Sequence, residues 1–411
     1  MKNSTKASYN YKKNLQLGYL LIGLNNAFFW YAPWLLFLLK YITIEQVAII
    51  EATGLATSVL AEVPTGALSD LIGKKRTLHL SFLFTAIGEV FVAFNTSYHR
   101  FLFAWIILNI GYSLYSGTME AFMYDTLLSV RKEDEYPRVT SHSQAILNVS
   151  IAIASITGGL MFKWWIGLPF LATGLTKCIG LCATFFIDEP TVDSQTFSLQ
   201  TFISQTKKGF AHLFQRSFVR YTILLLLFGV FAAVAYEILD DVAVVDWGYD
   251  AVGIGILYAA ATFIAVPASY LYNRVRDKLG IVHIIIVGIL ILALGYLFSP
   301  WITAAIWTGI FLLRVFFSPI RNSAISELIN SKTESSIRAT TLSTYELLRK
   351  IPYVMLASFI GMSMDRYGIK TFSFYFAFTL LTLLLVYIST VGRRIVFMKK
   401  RELDYVDEED F

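Results

Sequence analysis

Charge is what this sequence has least of. Only 15% of its 411 residues are Asp, Glu, Lys or Arg, against about a quarter in a soluble domain. With 56% hydrophobic residues and a mean hydropathy of +0.60, it lacks the polar side chains to clothe one or two water-soluble domains. The surplus apolar surface must face lipid, which excludes an ordinary cytosolic enzyme. Cysteine is nearly absent. Cys178 and Cys182 lie one helical turn apart in an apolar run and form neither a disulfide framework nor a zinc spacing. The five histidines (His79, His99, His142, His212 and His283) are dispersed, so no metal is expected. There is no P-loop, no Gly-x-Ser-x-Gly and no soluble segment large enough to bind ATP, so neither a cofactor nor an enzymatic activity is expected.

What is present is long apolar runs. A helix needs about 20 mostly apolar residues to cross the hydrocarbon core. On that ruler the sequence predicts spans near 15–39, 45–68, 77–97, 101–128, 139–162 and 165–187, then 219–245, 251–272, 281–299, 301–330, 339–364 and 371–391. The expected fold is an all-α membrane protein of twelve transmembrane helices in two pseudo-symmetric six-helix bundles. Its parts are an N-terminal bundle (1–187), a cytoplasmic linker (188–218), a C-terminal bundle (219–391) and an acidic cytoplasmic tail (392–411). Runs this long and continuous exclude a β-barrel. The first is also too long for a cleavable signal peptide.

Basic residues orient the chain. Of 34 Lys and Arg, 24 fall on the side that carries both termini and 5 on the other, with the remaining 5 inside spans. By the positive-inside rule both termini are cytoplasmic. The net charge of +5 thus reflects topology and calls for no nucleic-acid partner. In the linker, Leu199, Phe202, Ile203, Phe210, Leu213 and Phe214 share one helical face, with Lys207, Lys208 and Arg216 elsewhere. This pattern predicts an amphipathic helix in the cytoplasmic interface.

The halves echo each other. Gly66-x-x-x-Asp70-x-x-Gly73 after span 2 recurs as Asn273-x-x-x-Asp277-x-x-Gly280 after span 8, 207 residues on. Arg138-x-Thr140-x-x-Ser143 recurs as Arg338-x-Thr340-x-x-Ser343, and Asn109 and Asp125 correspond to Arg314 and Asn330. Duplicated halves related by an axis along the membrane normal are a transporter architecture, with the substrate site near the midplane between them.

The segment Gly66-Ala67-Leu68-Ser69-Asp70-Leu71-Ile72-Gly73-Lys74-Lys75-Arg76 resembles the loop between the second and third helices of the major facilitator superfamily, although Leu71 stands where a basic residue often follows the Asp. Glu62-Val63-Pro64-Thr65-Gly66, Gly117-x-x-Glu120-Ala121-x-x-Tyr124-Asp125 and Arg338-Ala339-Thr340-x-Leu342-Ser343 resemble a bacterial exporter branch of it. The resemblance implies that Gly66, Asp70, Gly73, Lys74, Lys75 and Arg76 form a cytoplasmic latch favouring the outward-open state. It also implies that helices 1, 4, 7 and 10 line a central cavity. Two departures weaken a drug/proton antiport reading: Ser155 replaces an expected Pro before Gly158-Gly159, and Asn109 stands where helix 4 usually has Arg.

An ionisable group inside a span is costly and faces protein or water. Glu120, Glu237 and Arg314 become cavity candidates for proton or substrate, with Asp125 deeper on the cytoplasmic side and Asn26 and Trp30 as lining for an organic compound. The bland alternative is static pairing, Arg314 with Glu237 and Lys177 with Glu89. The expectation is a monomeric secondary active transporter of the plasma membrane, embedded in the bilayer. By alternating access it exchanges protons for the efflux of a small organic or drug-like compound. A proton-coupled importer of a small metabolite is the alternative, and a polytopic membrane enzyme the remote one.

Overall fold

Every apolar run becomes helix. The computed structural model describes residues 10–190, 199–334 and 337–391, and among them all regular structure is helical. The acidic tail predicted at 392–411 lies outside the described residues. Nine described helices are long and apolar enough to cross a membrane, and the bent pair Tyr272–Leu279 and Ile281–Leu297 makes a tenth. The other two spans fall short of that length for identifiable reasons. Span 6, Leu168–Thr184, is 17 residues long, and span 1 is broken into Tyr11–Asn25, a single tight turn at Phe29–Tyr31, and Trp34–Leu38. The protein is thus built from twelve membrane helices.

The chain forms two compact units. The first comprises the described parts of Met1–Ile42 and Ile50–Leu199 with Tyr249–Ala259; the second comprises Thr43–Ile49, Gln200–Gly248 and the described parts of Ala260–Phe411. These follow the two halves of the duplication except at two short segments. Within the second unit, Thr43–Ile49 is held by span 11: the backbone N–H groups of Ile44 and Glu45 donate to Asp365 at 3.3 and 2.9 Å, and Ser358 donates to Glu45 at 2.6 Å. Within the first, the start of span 8 lies on span 5, where Lys163 pairs with Asp250 at 3.2 Å. A Cβ on Gly255 would strike the Ser155 backbone carbonyl, so only glycine permits that approach.

The duplication is visible in the backbone. Gly73 opens span 3 (Lys74–Ala93) with φ 88° and ψ 159°, and Gly280 opens span 9 (Ile281–Leu297) with φ 79° and ψ 157°. That region of φ/ψ space is essentially closed to residues with a Cβ. Two glycines 207 residues apart thus share a rare conformation, as the repeat expects, and Gly368 at the start of span 12 adopts it as well (φ 78°, ψ 152°). Of the linker, Leu199–Leu213 is helical. Its Gly209 and Leu213 are buried, with Gly209 against Thr340 and Thr344 of span 11, while Phe210 and Phe214 stay outside as an exposed pair, ring centroids 4.7 Å apart.

Candidate functional site

Two buried charge clusters stand out, one in each unit, and both grow from a defect in a helix. In the first unit, span 1 stops being α-helical after Asn25. Pro33 cannot donate a backbone hydrogen bond, so the helix resumes only at Trp34. The Phe29 backbone packs onto span 5 (Tyr136–Trp164) at Gly158, where a Cβ would collide with its carbonyl. Its freed N–H donates to Thr173 of span 6 at 3.0 Å. Backbone released by the break is thus satisfied by side chains, as a membrane interior demands.

Buried charges brace both sides of this break. Lys177 of span 6, fully buried, donates to the backbone carbonyl and, at 3.0 Å, to the side-chain oxygen of Asn25. An ammonium there caps the carbonyl end of the first helical piece and meets the negative pole of its dipole. Its charge also sits 4.5 Å from the centre of the Phe28 ring and 5.5 Å from that of Tyr112. Beyond the break, Trp30 donates from its indole to Oε1 of Glu89 at 2.8 Å, and the Tyr112 hydroxyl donates to the same oxygen at 2.7 Å. Glu89 is fully buried, and its other oxygen, Oε2, has no hydrogen-bond partner. Trp30 is fixed in turn by stacking on Phe170, 5.8 Å away and nearly parallel.

In the second unit the corresponding defect is one π turn, Ala235–Leu239, between Val219–Val234 and Asp240–Asp246 of span 7. Adding 206 to residues 29–31 of the first break gives 235–237, so the two irregular turns occupy equivalent places. Wide turns of this kind recur at functional sites. Asp240, just beyond it, forms a direct ion pair with Arg314 of span 10 (Ala304–Ser331), and both are almost wholly buried. Tyr296 of span 9 donates to the other Asp240 oxygen and accepts from Arg314 at 2.7 Å. The rings of Phe311, Tyr236 and Tyr296 surround the guanidinium at 5.2 to 5.5 Å. Glu237, on the π turn itself, meets Lys350 of span 11 (Arg338–Tyr367) at 3.5 Å; their side chains keep 23% and 29% exposure.

The residues singled out in sequence land in different surroundings. Arg314 is paired with Asp240 instead of Glu237, and Glu237 with Lys350. Lys177 and Glu89 share a pocket but hold other partners. Trp30 is part of the first cluster, whereas Asn26 turns back to donate to Ile22 of its own helix at 2.8 Å. Glu120 is exposed near the Gly117 break of span 4. Asp125 pairs with Lys74 of the loop motif at 2.6 Å, which groups it with the latch residues. There Glu189, at the end of span 6, accepts from the backbone N–H groups of Lys74 and Lys75 at 2.7 and 2.8 Å and so caps span 3. Lys75 reaches the Phe185 carbonyl at 2.8 Å, Asp70 and Arg76 are exposed, and space lies open above Gly66. The partners that sequence reasoning did not select, Tyr112, Tyr296 and Lys350, carry no local motif. Only the duplication pointed at one of them: Glu89 and Tyr296 are 207 apart, the offset of Gly73 and Gly280.

Twelve membrane helices in duplicated halves, each with a broken helix braced by buried charges, are an architecture found among polytopic membrane transporters. Comparison with known proteins agrees. A sequence model of the Major Facilitator Superfamily matches residues 15–357, and the chain belongs to that superfamily of transporters. It is 25% identical over 254 residues to a protein of Bacillus subtilis (strain 168) described as the uncharacterized MFS-type transporter YxaM. The match spans 60% of this chain and 62% of that relative. In three dimensions it resembles the nucleoside transporter NupG in two crystal structures. One is of a point mutant (TM-score 0.78, 13% identity, 92% of this chain and 99% of that one), and the other carries no stated substitution (0.75, 11%, 92% and 98%). Identity that low establishes a shared fold.

Proposed function

We propose that this chain is a proton-coupled exporter. It lies in the plasma membrane with both termini in the cytoplasm, works as a monomer by alternating access, and moves a small organic compound outward in exchange for protons. The observation that carries this reading is the Glu237–Lys350 pair. Glu237 is a carboxylate on an irregular turn of a membrane helix, with a loose partner and a side chain that is partly exposed. Such a group can bind a proton, release its lysine, and regain it when the proton leaves. That reciprocity is what couples two binding events. Arg314 is assigned to the static ion pair and not to an anionic substrate, since Asp240 and Tyr296 each take a hydrogen bond from one of its terminal nitrogens and only its Nε is left without a partner. Glu120 is the second carboxylate of this scheme, and Trp30 and Asn26 contribute the polar and aromatic character of the first span. The loop motif, joined by Asp125, serves as the latch.

Proteoliposomes with an imposed pH gradient, screened against a panel of organic cations and neutral amphiphiles, provide the test. Gradient-driven export of the compound should collapse in Glu237→Gln, while its exchange across the membrane without a gradient persists. Gradient-driven transport unchanged in both Glu237→Gln and Glu120→Gln would overturn the assignment. Accumulation along the proton gradient would overturn the direction.

A further inference from the structure

We propose that Glu89 is a second proton-binding site, and that its protonation releases the break in span 1. The site is separate from Glu237, and the argument depends on neither export nor coupling. A fully buried carboxylate in a span normally has both oxygens engaged. Here Oε1 takes two donors and Oε2 takes none. The titratable and charged groups that face Glu89 are Lys177 from span 6 and Tyr112 from span 4, with the Trp30 indole from the tight turn of span 1. Lys177 lends its positive field but spends its hydrogen bonds on Asn25. The unsatisfied oxygen is therefore the place where a proton is gained. A metal cation would meet the Lys177 charge and a single free oxygen, too few ligands to replace its water.

The step is simple. An O–H bond forms at Oε2 with a proton from water, the carboxylate charge disappears, and Oε1 becomes a weaker acceptor. The Trp30 and Tyr112 hydrogen bonds lose their charge assistance, and Lys177 loses its counter-field. Trp30 is the grip on the Phe29–Tyr31 turn, so the turn loosens while Lys177 still caps the helix behind it. Proton occupancy at Glu89 is thereby read out as freedom of the chain between Asn26 and Pro33.

Two measurements on the purified full-length protein test this without any transport assay. Infrared difference spectra between alkaline and acidic solutions should show the C=O stretches of protonated carboxylic acids, one component of which disappears in Glu89→Gln and remains in Glu237→Gln. Hydrogen exchange of the 26–32 amides, corrected for intrinsic pH dependence, should accelerate about tenfold on acidification, the loosening expected when a hydrogen bond to a charged group is lost. In Glu89→Gln it should be fast at every pH. Trp30→Phe, which keeps the carboxyl, should retain the infrared band yet exchange fast already at alkaline pH. An acid-induced C=O spectrum unchanged in Glu89→Gln, acid-independent exchange in the wild type, or wild-type acid acceleration in Trp30→Phe would each overturn the proposal. So would dependence of either signal on sodium when choline replaces it.

Discussion

The two charge clusters occupy equivalent places in the duplicated halves, yet they are wired differently. In the second unit Asp240 and Arg314 touch, and Tyr296 closes the ring, so both carboxylate oxygens are used. In the first, Glu89 and Lys177 are buried together but are held by neutral partners on either side of a broken helix. The difference is chemical as well as geometric. A guanidinium stays charged in any protein environment, so the Arg314 cluster needs its Asp permanently. A carboxylate can neutralise itself by taking a proton where a charge is too costly. One cluster is a strut, and the other can change state.

The largest expected effect tests the strut. Arg314→Met leaves Asp240 buried without its partner and should cost about 3–5 kcal/mol, read as a lower melting temperature of the solubilised protein. Adding Asp240→Leu should restore most of that loss; a double variant as unstable as the single one would break the comparison. Next come the paired glycines. Gly280→Ala should cost about 1–3 kcal/mol from the backbone conformation alone. Gly73→Ala should cost more, because its Cβ would lie 2.9 Å from the Glu189 carboxyl that caps span 3. Equal melting shifts would show that the two loops are not loaded differently. The smallest effect belongs to Trp30→Phe, about 1–2 kcal/mol for one lost donor to a buried acceptor, since Tyr112 remains and Glu89 can shed its charge. A loss as large as that of Arg314→Met would mean that Glu89 is a fixed anion like Asp240.

Much of the architecture was readable from composition and spacing. All twelve apolar runs became helices, and the motif offset of 207 reappeared as a shared glycine conformation. The site was read less completely, for reasons that lie in the helix defects. Regular helical spacing places Glu237 and Asp241 on one face, but the π turn at Ala235–Leu239 changes the register, and Asp240 becomes the partner of Arg314. Span 1 reads as one apolar run, and nothing in its hydropathy marks where the α-helix stops. Pro33 is a local hint, but the stop also needs Gly158, Thr173 and Lys177 from spans far away in sequence. Asp125 was legible as an ionisable residue at depth; its bond to Lys74 depended on how span 4 turns at Gly117.

Lipid as solvent explains the division. Because the bilayer punishes every exposed charge and unpaired peptide group, hydropathy and basic residues alone dictated the number of spans, their halves and their expected orientation. Which buried charge meets which partner is a matter of ångströms between helices that are distant in sequence. Only the packed structure decided that Arg314 would be locked to Asp240 while Glu89 kept one oxygen free.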